Sequence, residues 1–342
     1  MSIKYQIFFL FFLILSLGLF SCSKKIDDAI VKRAGDYDLP SRDDSLSIHF
    51  LGTASFWINY NGRAILTDPF VSNPPLRKVM FRSIYPSDTS IVNDFISPDE
   101  LEQVEMVVIG HAHYDHLLDL PHMINYIPSS AKIVGSTTAN YIISSSCIDH
   151  EQVAANNYAA TNHSFGKWIY NSDSLMRIMP ITADHPPHLM GITLYGGNYY
   201  EDLKAIPRKS RGWKMGKPFA YLMDFLREDG SIGYRIFFQS SGSEYPLGFF
   251  PEEMLDGRTV DIAILSIATD SPYEEFPDKI LLLIKPKVIF LAHWENFWRN
   301  KYKSVKTVQK GDPEQLYFHL KEKFGKDTEI ILPLPGGTFR MH

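Results

Sequence analysis

The chain has 342 residues, of which 34 are lysine or arginine and 39 aspartate or glutamate, a formal charge of −5. This near-balance lacks the basic excess of a nucleic-acid binder, and no nucleic-acid partner is expected. Two cysteines exclude a disulfide scaffold or a cysteine-rich zinc site.

At the N-terminus, a single charge at Lys4 precedes an apolar stretch from Ile7 to Phe20 with Ser16 inside it, shorter than the roughly 20 residues of a spanning helix. It reads as a signal peptide over residues 1–21. Leu19, Phe20, Ser21 and Cys22 resemble a bacterial lipobox, which implies a cell-envelope protein held at the membrane by lipid on Cys22, on the periplasmic side or outer surface. An uncleaved anchor helix is the alternative, and it also puts the protein at a membrane. Residues 22–45 are polar and aperiodic, as expected of a flexible tether. Residues 46–342 show no repeat or low-complexity break and read as one domain. Cys147, without a partner if Cys22 is lipidated, reads as a small buried apolar residue.

The domain opens with short extended runs through "LSIHFLGTASFWINYNGRAILTDPF", in which Asn61-Gly62 signals a hairpin. A capping-box pattern, Ser97-Pro98-Asp99-Glu100, predicts a short helix ahead of a strand from Val104 to Gly110. Strand and helix signals then alternate: "AKIVGS" and "SLMRIMPIT" read as strands with "TTANYIISSS" as helix between them, and "KPFAYLMDF", "YRIFFQSS" and "VDIAILSIA" read as further strands. A buried strand runs up to His293. Asp312, Pro313 and Gly325 frame the clearest helix. The class is α/β.

Directly after the strand "VEMVVIG" comes "HAHYDHLLD". His111 and His113 are two apart, so both imidazoles point one way in an extended segment, and Asp115 and His116 come next, at the turn into a helix. Neutral imidazoles and carboxylate suit a zinc ion with an open coordination position. Read separately, Asp115 is a helix cap and the histidines are loop residues; the spacing of all four together favours a metal.

"HAHYDH" matches the H-x-H-x-D-H motif of the metallo-β-lactamase superfamily. "LTDP", "ITADHPPH" and "IFLAHWENF" stand in that family's order, so the resemblance covers residues 46–342. The nearest likeness is to the branch with N-acylphosphatidylethanolamine-hydrolysing phospholipase D and the L-ascorbate-6-phosphate lactonases. The resemblance implies an αβ/βα four-layer sandwich. It assigns one ion to His111, His113 and His185, a second to Asp115, His116 and His293, and a supporting role to Asp68. His188 is a spare candidate for structural or substrate contact. The family's bridging aspartate is replaced by Ser240. A neutral hydroxyl is a poor zinc ligand, so one tight Zn2+ (or another divalent ion) and a weak or absent second are expected, with Asp184, Asp224 or Glu244 as substitutes that nothing in the spacing selects.

The expected activity is metal-dependent hydrolysis of a phosphodiester or lipid-like ester or amide by a metal-bound hydroxide, with Asp115 orienting the water or moving its proton. The alternative is a non-catalytic surface lipoprotein of the same fold that binds a ligand. Serine–histidine–aspartate catalysis is disfavoured because "FFQSSGSEYP" lacks the G-x-S-x-G elbow. Tyr114 and Trp294, with Phe297 and Trp298, are candidates to line the cleft for a small-molecule or lipid substrate. The basic run "RKSRGWKMGK" is a candidate loop over the site for an anionic group.

Overall fold

The computed structural model describes residues 23–37, 45–188, 193–268, 275–308 and 311–342. The signal-peptide and lipobox readings fall on residues 1–22, outside the described residues. Among the described residues no helix is long and apolar enough to cross a membrane.

The strands in chain order are β1 (Val31–Tyr37), β2 (Leu46–Gly52), β3 (Ser55–Tyr60), β4 (Arg63–Thr67), β5 (Val104–Val108), β6 (Lys132–Gly135), β7 (Glu151–Ala154), β8 (Ile169–Tyr170), β9 (Met176–Thr182), β10 (Phe219–Leu226), β11 (Ile232–Gln239), β12 (Ile262–Ser266), β13 (Val288–Ala292) and β14 (Glu329–Met341). They pair in the order β7-β6-β5-β4-β3-β2-β14-β13-β12-β11-β10-β9-β8, with β1 added to β14. β14 joins two sheets, pairing antiparallel with β2 through Gly337–Met341 and parallel with β13 through Glu329–Ile331.

Side-chain alternation shows how the sheets stack. In β10, Phe219, Tyr221, Met223 and Phe225 enter one core while Ala220 and Leu222 enter another, as the two-residue period of a strand requires. The first of these cores also takes Leu46, Ile48 and Phe50 of β2 and Phe290 of β13, so it lies between the two sheets. The second takes Ile280, Leu281 and Ile284 of the helix Asp278–Ile284 and Leu320 of the helix Pro313–Phe324. A third core packs Val92, Leu117, Leu120 and Ile142, from helices, beneath the β2–β7 sheet. The layers run helix, sheet, sheet, helix. With both faces buried, β10 to β13 read as near-continuous apolar runs, not as alternations.

Local signals act where the sequence places them. Asn61 (φ 53°) and Gly62 (φ 81°) turn β3 into β4, the positive pair of a tight hairpin. Ser97 and Glu100 form the reciprocal capping box on Pro98–Leu101. Two elements differ from the sequence reading. Part of the expected tether is strand β1, which pairs with Leu332–Pro333 and Thr338–Met341 of β14; it reads as polar because its side chains are mostly exposed, and backbone pairing carries it. β14 itself, "EIILPLPGGTFRM", is absent from the sequence reading, because its two prolines and two glycines suppress a strand pattern.

Candidate metal centre

Strand ends and the segments beyond them build the site. β5 delivers Gly110, His111 and His113, and the one-turn helix Tyr114–Leu117 carries Asp115 and His116. β9 leads to His185, β11 to Ser240 and β13 to His293. His111, His113 and His185 come together as one triad and Asp115, His116 and His293 as another, the ligand atoms within each lying within 4.8 Å of one another. The triads adjoin, with the rings of His111 and His116 3.9 Å apart between centroids. All six positions singled out in the sequence meet here.

Hydrogen bonds orient the rings. His116 Nδ1 donates to Asp68 Oδ2 at 2.7 Å, which turns its Nε2 lone pair toward Asp115, whose Oδ2 is 3.9 Å away. The other Asp68 oxygen accepts from Gly110 N–H at 2.6 Å. Asp68 thus bonds both His116 and the Gly110 main chain at the start of the histidine segment. His185 Nδ1 donates to the Pro186 carbonyl at 2.7 Å, leaving Nε2 free to ligate. His293 Nε2 lies 3.7 Å from Asp115 Oδ2.

The donor set fits a divalent ion. Among the described residues His111 Nε2 and His113 Nε2 are buried without a hydrogen-bond partner, an arrangement that is costly unless something else satisfies such atoms. Burial, with the neighbouring imidazoles His116, His185 and His113, drives His111 well below the usual histidine range; burial brings His113 down to about 3, and His185 is lowered for like reasons. These rings are neutral at pH 7, the form that ligates. Burial pushes the Asp115 carboxyl up, but the facing imidazoles of His293, His116 and His113 outweigh it, and the group stays ionised.

Ser240, at the position where the resemblance expects the bridging aspartate, packs behind His111 beside Asp68 and Gly110. It is 1% exposed, its hydroxyl lies 3.3 Å from His111 Nδ1, and it also hydrogen-bonds Asp68. None of the three acidic substitutes considered for it joins either triad. Asp224 is bound instead by Arg235, at 2.7 Å, and by Arg177, and Glu244 is exposed.

His188 stacks on His185 with ring centroids 4.6 Å apart, and its Nδ1 accepts from Leu194 N–H. Tyr114 is buried, its hydroxyl accepting from Trp298 Nε1 at 2.8 Å, and Phe297 meets the His293 ring at 4.9 Å. Trp294 does not line the cleft. Its ring is fully buried in the outer core of the second sheet, with Nε1 donating to the Pro333 carbonyl. The basic run acts through its backbone: the Met215 carbonyl accepts from Ala112 N–H at 2.8 Å, inside the histidine motif, while Arg208, Lys209 and Arg211 are exposed.

Sequence reasoning missed the serines that hold the His185 segment. Ser241 Oγ donates to the Asp184 carbonyl at 2.7 Å, and Ser243 Oγ accepts from Asp184 N–H at 2.9 Å. The cluster of serines in "QSSGS" was the available signal.

Residues 47–175 match the β-lactamase superfamily domain. Among solved structures, Igni18, a metallo hydrolase from the archaeon Ignicoccus hospitalis, aligns over 87% of this chain and 99% of its own with 15% identity and a TM-score of 0.51. The metallo-β-lactamase fold protein YhfI from Bacillus subtilis aligns over 87% of this chain and 100% of its own, with 12% identity and a TM-score of 0.50. The chain has the metallo-β-lactamase fold. In this metallo-β-lactamase fold the two triads sit where the ends of β5, β9 and β13 meet. A UPF0173 metal-dependent hydrolase from Aeropyrum pernix is 35% identical over 71 residues, 21% of this chain and 22% of that protein. One from Pyrococcus furiosus is 31% identical over 98 residues, 28% of this chain and 35% of that protein. The chain thus spans about a fifth to a third of the curated relatives it matches.

Proposed function

We propose that the chain is a metal-dependent hydrolase acting on phosphodiester or lipid-like ester or amide substrates, with zinc as its ion. The observation that carries this reading is the convergence of two candidate ligand triads, in the first of which His111 Nε2 and His113 Nε2 are buried without a hydrogen-bond partner among the described residues. His111, His113 and His185 would hold the tighter ion, and Asp115, His116 and His293 the weaker one, since Ser240 adds no charge to the centre. A divalent ion bound there supplies Lewis acidity and a water that gives up its proton near neutral pH. Asp115 Oδ2, ionised and facing both His116 and His293, would orient a water held there and help to move its proton. Tyr114 and Phe297 form an apolar wall beside the second triad, and His188 presents an imidazole at the rim beside His185. Anchoring in the bacterial cell envelope through lipid on Cys22 belongs to the same reading, supported by the apolar run from Ile7 to Phe20 and the lipobox-like residues after it.

A second reading, a ligand-binding surface protein without turnover, is favoured by Ser240 alone. Elemental analysis of the purified chain, with generic phosphodiester, lactone and N-acyl substrates, separates the two. The hydrolase carries about one or two zinc ions per chain and loses both metal and turnover on His111→Ala. A metal-free chain without turnover, indifferent to that substitution, sinks the hydrolase.

A further inference from the structure

The turn between β2 and β3 and the segment after β13 meet at His293, and each carries unusual backbone there. Thr53 has φ 55° and His293 φ 61°, in the left-handed region that a β-branched residue rarely enters. Each supports the other, since His293 N–H donates to the Thr53 carbonyl at 2.7 Å. Thr53 N–H in turn donates to Glu295 Oε1. Glu295 is 2% exposed, and its Oε2 has no hydrogen-bond partner among the described residues. Lys301 completes the arrangement, with Nζ donating to the Leu51 carbonyl. A Cβ at Gly52 would strike Lys301 Nζ and come within 3.1 Å of Glu295 Oε1, so both charged groups sit directly against this turn.

We infer that Glu295 is a positioning residue for the second triad: its carboxylate fixes Thr53, Thr53 fixes the backbone of His293, and the imidazole is thereby held toward Asp115 and His116. The inference rests on the reading that this triad takes an ion. A carboxylate two residues beyond a ligand, kept from water, needs a compensating partner, and here its acceptor oxygen is spent on a residue that bonds the ligand's own main chain. Groups that orient ligands in this way change metal affinity without touching the metal.

Two roles are separable, because an acceptor for Thr53 and a counter-charge for Lys301 make different demands. Glu295→Gln keeps the acceptor and drops the charge. Glu295→Met fills similar space and drops both. Metal-free wild type, both variants and His293→Ala are titrated with cobalt and followed by visible absorption and stoichiometry. Glu295→Met is expected to weaken the weaker binding step about 10- to 100-fold, in the same direction as His293→Ala, with the tighter step unchanged and Glu295→Gln close to wild type. Equal losses in the Gln and Met variants, weakening of both steps alike, or a wild type with one step insensitive to His293→Ala overturns the inference. Absence of any cobalt binding by wild type instead overturns the hydrolase reading itself.

Discussion

Gly110 shows how little room the centre leaves. A Cβ there would lie 2.6 Å from Ser240 Cβ and closer still to its hydroxyl, while Gly110 N–H is bound to Asp68 and its carbonyl accepts from Phe219 N–H. The glycine is required by close approach, since its φ is not positive. Gly110→Ala should destabilise the fold by about 1–3 kcal/mol, as overpacking of a fixed interior does, read as a lower urea midpoint; an unchanged midpoint would show that Ser240 moves aside freely. Lys301 offers a pH-dependent case. Burial lowers it from 10.5 to about 8, against the opposing pull of Glu295 and Asp119. Between those values the unfolded chain holds a proton that the folded chain has released, so stability rises with pH across the window. Lys301→Met should remove that rise, and parallel stability profiles for the two chains would contradict it. At this scale the sequence exposes the ligands well, because four of six sit within "HAHYDH", where residue type and spacing together point to a metal. It hides Thr53 and Glu295, whose contact spans 242 positions and leaves no local pattern.

Elements are legible where their signals are local. The helix Pro98–Leu101 is one turn long, yet Ser97 and Glu100 announce it, and Glu100 further binds His49 of β2 through Nδ1 at 3.0 Å while its carbonyl accepts from Trp57 of β3. The cap therefore also staples a helix onto two strands. Ser97→Ala should cost about 1 kcal/mol of stability, measured by denaturant titration; a neutral result would mean that Glu100 maintains the turn unaided. β1 and β14 escape sequence reading for opposite reasons. β1 has polar side chains on a paired backbone, and β14 has strand pairing despite prolines and glycines that interrupt its pattern. Neither hydrophobic period nor propensity records a hydrogen bond made to a partner about 300 residues away.

Over the whole molecule, the stretch matching the β-lactamase superfamily domain, residues 47–175, is not self-sufficient. The core between the sheets takes Phe50 and Met106 from this stretch but Tyr221, Phe238 and Phe290 from outside it, and His185 and His293 also lie beyond its end. A fragment of residues 45–175 should lack a cooperative unfolding transition and fail to retain a divalent metal through dialysis; a sharp transition in circular dichroism would refute that dependence. The layered class is readable from alternating strand and helix signals, but the closure of the two sheets on one another is not, because the strand that joins them is the one with the weakest pattern. β14 is a shared seam. Each half-molecule supplies ligands to both triads, and the halves cannot part without tearing main-chain bonds along that seam. The relative placement of the two triads therefore depends on a backbone segment that contributes no side chain to them, and damage near the C-terminus would be felt first as a loss of alignment between them.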